Sequence, residues 1–285
     1  MKKVLVTGAT GFIGNYVVRE FLERNCSVIA SSAHENSAKQ KDWIDHVDYV
    51  PFDIKEVNES INYFDFFGGP DLMIHLAWEG LPNYKSSFHI EENLPGHIRF
   101  LTNLVQNGLR DLTVAGTCLE YGMQEGALRE DMPALPSTSY AIAKNELRKA
   151  LETMHQNYPF SLKWVRLFYI HGKGQNPNSL LSQLDQALAN DEPVFNMSGG
   201  DQSRDYLSVE KAAEYLVRIA LQNEVAGIIN CCSGEPITIR QFLRNYLSKL
   251  GRNISLNFGY YPYPDYEPLH FWGDNNKLKT VLKND

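Results

Sequence analysis

The stretch that decides the fold stands near the amino terminus and reads Val4-Leu5-Val6-Thr7-Gly8-Ala9-Thr10-Gly11-Phe12-Ile13-Gly14. After its three glycines, apolar residues recur at helical spacing, at Val17, Val18, Phe21 and Leu22. This order predicts a strand, a tight glycine turn and an amphipathic helix. Such a turn presents main-chain amides and the positive end of a helix dipole at one point, which suits the pyrophosphate of a dinucleotide.

The glycine spacing, Gly-x-x-Gly-x-x-Gly, is a weak signal alone, because a tight turn that only packs helix against strand uses the same residues. Further along the chain, apolar runs predicted as strands alternate with helical patterns. The strands cover 27–30, 47–52, 72–77, 112–116, 162–168 and 228–231, and helices cover 98–106 and 140–154. This alternation indicates a parallel sheet covered on both faces. The predicted fold class is α/β, with a Rossmann doubly wound parallel sheet.

The regular alternation weakens after about residue 170. Residues 172–178 read as a loop, and residues 259–268 are dense in Tyr and Pro. We expect residues 1–170 to form a dinucleotide-binding Rossmann domain, with a strand returning to it near 204–232. Residues 171–285 are expected to form mainly a smaller C-terminal substrate-binding lobe.

The charge and hydropathy of the chain argue against binding to nucleic acid or to membranes. Its 285 residues include 27 Lys and Arg against 34 Asp and Glu, and the formal net charge of −7 provides no attraction for nucleic acid or anionic lipid. No apolar run approaches the roughly 18 residues that span a bilayer. We therefore expect neither a nucleic-acid partner nor a membrane.

The four cysteines form neither a regular framework of spacings nor a Cys-x-x-Cys pair. They stand at Cys26, Cys118, Cys231 and Cys232. The pattern disfavours both a secreted disulfide scaffold and a zinc site, and no metal is expected. The apolar run after Met1 is too short for a signal peptide, so we expect a cytoplasmic protein.

A second group of residues suggests catalysis. In Tyr140-Ala141-Ile142-Ala143-Lys144, the spacing puts the phenol and the ammonium on one helix face. A nearby ammonium lowers the pKa of a phenol from about 10, towards the range of a general acid or base. Thr117, at the end of the preceding strand, adds a hydroxyl that can hold a substrate oxygen against the tyrosine. The predicted catalytic residues are Thr117, Tyr140 and Lys144.

Over essentially its whole length the chain resembles the extended short-chain dehydrogenase/reductase family, which comprises nucleotide-sugar epimerases, dehydratases and reductases. Beside the glycine turn and the Tyr140/Lys144 pair, the resemblance rests on five motifs. They are Asp53-Ile54, His75-Leu76-Ala77, GTCLEYG at 116–122, RDYLSV at 204–209 and WGDNNKL at 272–278. It implies an NAD(P)-dependent enzyme that acts on a nucleotide sugar.

The resemblance also implies roles for single residues. The cofactor pyrophosphate would bind at Gly8, Thr10, Gly11, Phe12, Ile13 and Gly14. Adenine would contact Asp53 and Ile54, the cofactor ribose would contact Leu76 and Ala77, and Lys144 would bind the nicotinamide ribose. On the substrate side, the implied residues are Trp78, Tyr169, Asn178, Leu180 and Arg204, of which Arg204 would bind the substrate diphosphate.

Differences from known subgroups narrow the activity. The 4,6-dehydratases of the family place Asp-Glu directly after the strand threonine, whereas Thr117 is followed by Cys118 and Leu119. Residues 75–84 and GTCLEYG look most like reductases of dTDP-4-keto-6-deoxyhexoses. We therefore expect an NAD(P)H-dependent reductase of a nucleotide-activated 4-keto-6-deoxyhexose. An NAD-dependent nucleotide-sugar 4-epimerase is the alternative, and a non-catalytic protein that senses dinucleotides is a remote one.

The end of the second predicted strand bears on the cofactor. Residues 28–32 read Val-Ile-Ala-Ser-Ser, without the carboxylate that would repel a 2′-phosphate. The hydroxyl of Ser32 can donate a hydrogen bond to that phosphate. NADP is therefore expected to be favoured over NAD, unless Glu35 turns back towards the ribose.

The resemblance further implies a C2 homodimer built on the helices predicted at 93–107 and 139–157. In relatives, these two helices form a four-helix bundle between subunits. The apolar positions available to it are Phe100, Leu101, Leu104, Ile142, Leu147 and Leu151. The alternative is that these side chains face only the sheet of their own chain.

Overall fold

The computed structural model describes residues 1–283. Its strands are β1 (Lys3–Thr7), β2 (Ser27–Ser32), β3 (Asp48–Pro51), β4 (Leu72–His75), β5 (Asp111–Thr117), β6 (Gly126–Leu128), β7 (Ser161–Leu167), β8 (Tyr169–His171), β9 (Val194–Asn196), β10 (Ser203–Ser208), β11 (Gly227–Cys231), β12 (Pro236–Thr238), β13 (Ser255–Asn257) and β14 (Phe271–Gly273). Its α-helices are α1 (Phe12–Glu23), α2 (Glu35–Ala38), α3 (Tyr63–Phe66), α4 (Leu94–Gln106), α5 (Ser139–Met154), α6 (Leu180–Ala189), α7 (Val209–Leu221), α8 (Ile239–Leu250) and α9 (Asn276–Lys283).

Within these residues, a parallel sheet of seven strands has the order β11-β7-β5-β4-β1-β2-β3. The strand order reverses at β1, which pairs with β2 on one side and β4 on the other. In the register, Thr7 lies opposite both Ser31 and His75. A crevice forms at such a reversal, beyond the carboxyl ends of the strands, and it is where ligands bind in open α/β sheets. The predicted doubly wound Rossmann sheet is confirmed.

Helices cover both faces of the sheet, because the strands are apolar on both sides. On one face α1 packs against α7, with Val17, Phe21 and Leu216 buried. On the other face α4 packs against α5. Within residues 1–283, no helix is both long and apolar enough to cross a bilayer.

The packing of α4 against α5 corrects the proposed dimer contacts. Five of the six apolar positions lie in the chain's own core and are at most 1% exposed: Phe100, Leu101, Leu104, Leu147 and Leu151. Only Ile142 is partly exposed. The amphipathic stripe of each helix is therefore used on its own sheet, and these five side chains cannot form a contact between subunits.

The second half of the chain adds a strand to the large sheet and also forms a separate apolar cluster and a small sheet. After β10, the chain returns through α7 to β11, which pairs with β7 at the edge of the large sheet. A separate apolar cluster contains α6, α8 and the β9/β13 pair, with Leu184 and Leu243 fully buried. A three-stranded sheet, β12-β10-β8, lies beside them and carries Arg204 and Tyr169.

Candidate active site

The glycine turn after β1 has the backbone that close packing requires. Gly8 adopts a φ of +70°, and a Cβ atom there would lie 2.7 Å from the amide nitrogen of Ala77. A Cβ atom on Gly14 would lie 2.1 Å from the carbonyl oxygen of Gly8. Gly11 precedes α1, and no side chain caps that helix, so its first amides face outward from the helix end. The turn therefore fits the pyrophosphate of a dinucleotide.

A cavity of about 220 Å³ opens at this turn, above the reversal of strand order. Most of the predicted cofactor residues line it: Gly8, Thr10, Gly11, Ser32, Asp53, Ile54, Leu76 and Ala77. Phe12, Ile13 and Gly14 instead form the first turn of α1. The site brings together four separate segments that follow the ends of β1, β2, β3 and β4.

The start of α4 supplies cavity residues that the sequence analysis missed. Asn93, Gly96 and His97 line the cavity, and the Asn93 amide donates a hydrogen bond of 3.0 Å to the carbonyl oxygen of Glu79. Asn93 and His97 are buried polar residues one helical turn apart beside an apolar stripe. That interruption of the apolar pattern was the available sequence signal.

A buried chain of hydrogen bonds joins α4 to β1. Thr7 Oγ1 lies 2.7 Å from His75 Nδ1, and His75 Nε2 lies 2.7 Å from His97 Nδ1. Burial lowers the pKa of His75 to about 3, and burial also lowers the pKa of His97. Both imidazoles are therefore neutral at physiological pH, and the chain holds β1, β4 and α4 together without placing a charge beneath the cavity.

Thr117 and Tyr140 meet where β5 and α5 converge. Thr117 is the last residue of β5, and Tyr140 lies in the first turn of α5, where its amide donates to the carbonyl oxygen of Tyr84 at 2.9 Å. Burial and the neighbouring phenol of Tyr84 raise the pKa of Tyr140, while a hydrogen bond with the Thr117 hydroxyl acts in the opposite direction. The Tyr140 phenol is therefore protonated at neutral pH.

Lys144 lies on the same face of α5 as Tyr140, as the spacing predicts, but its contacts differ from the expectation. Its ammonium donates a hydrogen bond of 2.9 Å to the carbonyl oxygen of Ala115 and lies 4.0 Å from the centre of the Trp78 ring. Burial lowers the pKa of Lys144 to about 7, against the influence of Glu120. The expected lowering of the Tyr140 pKa by Lys144 is wrong for this structure, because burial dominates at both residues.

A buried ion pair supports Thr117 from behind. The Glu120 carboxylate accepts a hydrogen bond of 2.9 Å from the Thr117 amide and another of 2.9 Å from Arg166 Nε. Glu120 and Arg166 are 0% and 1% exposed, and Glu120 also accepts from the Trp164 indole. A charged pair so fully removed from water fixes the turn that follows β5.

The predicted substrate residues occupy three different places. Trp78 lines the cavity, where its ring stacks on His97 at 4.5 Å and its indole nitrogen donates to His89. Asn178 is exposed just before α6, and Leu180 begins that helix and packs against the apolar cluster of α6 and α8. No contact in the described part of the chain places these last two beside Tyr140.

Arg204 and Tyr169 lie together in the small sheet, but Arg204 already has an anionic partner. Its guanidinium is 1% exposed and lies 2.9 Å from the carboxylate of Glu267. The Tyr169 hydroxyl is buried and lies close to both Arg204 and Glu267. Burial, followed by the charge of Glu267, raises the pKa of Tyr169.

The end of β2 has no carboxylate facing the cavity. The Ser32 hydroxyl lies 2.9 Å from the Tyr49 hydroxyl, and Glu35, in α2, pairs with Lys39 at 2.9 Å. Glu35 is therefore directed along its own helix rather than back towards the cavity.

With this geometry in place, comparison with known proteins decides the family. The family model described as the NAD dependent epimerase/dehydratase family matches residues 4–232. The chain belongs to this family. Its members modify nucleotide sugars with a nicotinamide cofactor, and the prediction of an NAD(P)-dependent enzyme of the extended short-chain dehydrogenase/reductase type is confirmed.

Two curated relatives within the epimerase/dehydratase family match nearly the full chain. The dTDP-6-deoxy-L-talose 4-dehydrogenase (NAD(+)) of Aggregatibacter actinomycetemcomitans is 28% identical, over 95% of this chain and 98% of the relative. The dTDP-4-dehydro-6-deoxyglucose reductase of Escherichia coli is 23% identical, over 90% of this chain and 84% of the relative.

A solved member supports the fold. The UDP-glucuronic acid 4-epimerase of Bacillus cereus, in complex with UDP-glucuronic acid and NAD, has a TM-score of 0.85. It is 22% identical, and the match covers 99% of this chain and 93% of that one. At this identity the likeness establishes the architecture of the epimerase/dehydratase family and not the reaction.

Proposed function

We propose that this protein is an NAD(P)H-dependent reductase of a nucleotide-activated 4-keto-6-deoxyhexose. The observation that carries the proposal is the Tyr140 phenol beside the Thr117 hydroxyl, where α5 meets the end of β5. Cys118 and Leu119 follow Thr117 directly, and Glu120 is buried in its pair with Arg166, so the turn offers no acid and base for removing water from a sugar. Reduction of a ketone requires one hydride and one proton, and this group of residues can provide the proton.

The chain's own residues divide the chemistry as follows. The Thr117 hydroxyl holds the C4 oxygen of the sugar, and the Tyr140 phenol gives its proton to that oxygen as the alkoxide forms. NAD(P)H, when bound, supplies the hydride. Lys144 provides an ammonium to the nicotinamide ribose. The glycine turn and the residues after β3 and β4 hold the rest of the dinucleotide.

The surroundings of Tyr140 support a 6-deoxy sugar. Leu119, Tyr140 and Ala141 form one apolar cluster, and the rings of Trp78 and Tyr84 pack against it. An apolar wall accommodates the C6 methyl group of a 6-deoxyhexose without burying an unpaired hydroxyl. The two curated relatives, named for a dTDP-6-deoxy-L-talose and a dTDP-4-dehydro-6-deoxyglucose, agree with this substrate class.

A preference for NADP over NAD is part of the proposal. It is supported by the absence of a carboxylate at Ser31 and Ser32 and by the pairing of Glu35 with Lys39. The Ser32 hydroxyl already contacts Tyr49, and neutral hydroxyls do not neutralise a phosphate, so the preference is modest. The A. actinomycetemcomitans relative is named for NAD(+), and the test below therefore compares the two reduced cofactors directly.

The test follows the nicotinamide absorbance. The protein is incubated with NADPH or NADH and with dTDP-, CDP- or GDP-activated 4-keto-6-deoxyglucose. We expect oxidation of the reduced cofactor with one of these sugars, and the variant Tyr140→Phe serves as the control for background oxidation. No oxidation with any of them overturns the proposal. Interconversion of UDP-hexoses without added cofactor would instead identify a 4-epimerase.

A homodimer and a cytoplasmic location remain predictions. The outward face of α5 carries charged side chains, among them Glu146, Lys149 and Glu152, so an interface there would be polar. All four cysteines are buried with free thiols, which is compatible with a reducing compartment. Light scattering at micromolar concentration tests the dimer, and a monomeric mass would contradict it.

A further inference from the structure

The guanidinium of Arg204 is held in one orientation by contacts within the chain. Its NH1 nitrogen donates to the carbonyl oxygens of Ser203, at 2.9 Å, and Leu269, at 3.0 Å. Its guanidinium carbon lies 4.5 Å from the centre of the Phe271 ring. Main chain and ring therefore hold the guanidinium in place, and NH2 is left to bind an anion.

Glu267 supplies that anion. Its carboxylate lies 2.9 Å from Arg204 NH2, and its side chain is 10% exposed. The charge of Glu267 also raises the pKa of Cys118 and of Tyr84, secondary to burial. Cys118 follows Thr117 in the chain and the Tyr84 ring lies 5.6 Å from that of Tyr140, so the residues that Glu267 influences adjoin the catalytic pair.

The segment that carries Glu267 spans the two halves of the molecule. Asp265 pairs with Lys85 at 2.7 Å, and both side chains are exposed. The Tyr266 ring lies 5.7 Å from the ring of Tyr84, which in turn packs on Tyr140. An exposed ion pair of this kind contributes little to stability, so the Lys85–Asp265 pair by itself does not fix the segment.

We propose that Glu267 is a resident counter-anion of Arg204, which the diphosphate of a nucleoside-diphosphate sugar displaces on binding. This inference rests on the proposed function, because it assumes a substrate with a diphosphate. Before binding, the carboxylate keeps the buried guanidinium paired, which avoids the penalty of an uncompensated buried charge. On binding, Arg204 exchanges one anion for another, so Glu267 lowers the affinity for every diphosphate and favours release of the product.

The experiment measures binding of dTDP and UDP by calorimetry, with the cofactor site saturated by the oxidised nicotinamide cofactor that binds more tightly. Saturation removes nucleotide binding at the glycine turn from the signal. The variants are Glu267→Gln, Arg204→Gln and the double variant, and Arg204→Lys retains the charge if Arg204→Gln unfolds. Asp191→Asn is the control, because it neutralises an exposed carboxylate that contacts Arg252 and not Arg204.

We expect Glu267→Gln to bind at least one of the two diphosphates about ten-fold more tightly than the wild type, because a competing charge is removed. A variant that was merely damaged would bind more weakly. Arg204→Gln, or Arg204→Lys if the former unfolds, should bind more weakly, and the gain from Glu267→Gln should vanish in the double variant. Asp191→Asn should bind like the wild type.

The inference is overturned if Glu267→Gln binds as the wild type does or more weakly, or if the gain persists without Arg204. The proposed function is tested separately, by measuring the oxidation of NAD(P)H in the presence of 4-keto sugars. Turnover without the affinity pattern would overturn this inference alone. The affinity pattern without turnover of any 4-keto sugar would overturn the proposed reaction and leave the exchange at Arg204 standing.

Discussion

The ammonium nitrogen of Lys144 lies 4.0 Å from the centre of the Trp78 ring. Trp78 lines the cavity and its ring stacks on His97, so Lys144 lies behind the indole. In this structure the ammonium contacts the indole and the Ala115 carbonyl oxygen rather than the cavity. The position of one aromatic side chain thus separates the dinucleotide site from the lysine predicted to bind its ribose.

This contact predicts a fluorescence signal. Because Trp78 lines the cavity, binding of NADPH or NADH should change its emission, and the variant Trp78→Phe should lose most of that change. Trp272→Phe, a tryptophan of β14 outside the cavity, is the control and should retain the signal. An unchanged signal in Trp78→Phe would show that the indole is not displaced or contacted by the cofactor.

Loss of the phenol should abolish turnover and leave binding intact. Tyr140→Phe removes the proton donor, and we expect the rate of cofactor oxidation to fall about 100- to 10,000-fold. Fluorescence titration of the variant should give a cofactor affinity close to that of the wild type. A variant that keeps more than a tenth of the activity would mean that another group delivers the proton.

The burial of Lys144 predicts how stability depends on pH. Its pKa is about 7 in the folded chain, against 10.5 for an ordinary lysine, so between these values the unfolded state binds more protons. The free energy of unfolding of the wild type, relative to Lys144→Met, should therefore rise by about 2 to 4 kcal/mol from pH 7 to pH 10. Urea unfolding across this range measures the difference, and a constant difference would contradict the prediction.

The pair under Thr117 predicts a large effect on stability. Glu120→Ala leaves the buried Arg166 unpaired, and we expect a loss of about 3 to 5 kcal/mol in the free energy of unfolding. The control is Glu152→Ala, whose carboxylate is 45% exposed in its pair with Arg148 and which should cost less than about 1 kcal/mol. Equal losses in the two variants would show that the buried pair has no special role.

The end of β2 predicts the cofactor preference. We expect the wild type to bind NADPH more tightly than NADH by about 1 to 2 kcal/mol, from one or two hydrogen bonds to the 2′-phosphate. Ser32→Asp should reverse the preference by repelling that phosphate, whereas Ser37→Asp, on α2 outside the cavity, should not. Wild-type binding of NADH ten-fold tighter than NADPH would contradict this.

Local patterns determined the sheet, the glycine turn and the shared face of Tyr140 and Lys144. These features depend on periodicity and on backbone conformation, which a few neighbouring residues specify. The same patterns could not show whether the stripe of α4 and α5 faced the sheet or another subunit. An amphipathic stripe records that a surface is buried and not what covers it, and only the packing of Phe100 and Leu147 decided that.

The charge states and ion pairs of the site residues were likewise decided by the tertiary structure alone. The sequence motifs pair Lys144 with the Tyr140 phenol and Arg204 with a diphosphate. Both pairings assume that the two cations are solvated and have no other partner. In the folded chain, Lys144 is buried against Ala115 and Trp78, and Arg204 is paired with Glu267, 63 residues further along. Desolvation and long-range ion pairs depend on which segments meet in space, and local patterns along the chain do not reveal those meetings.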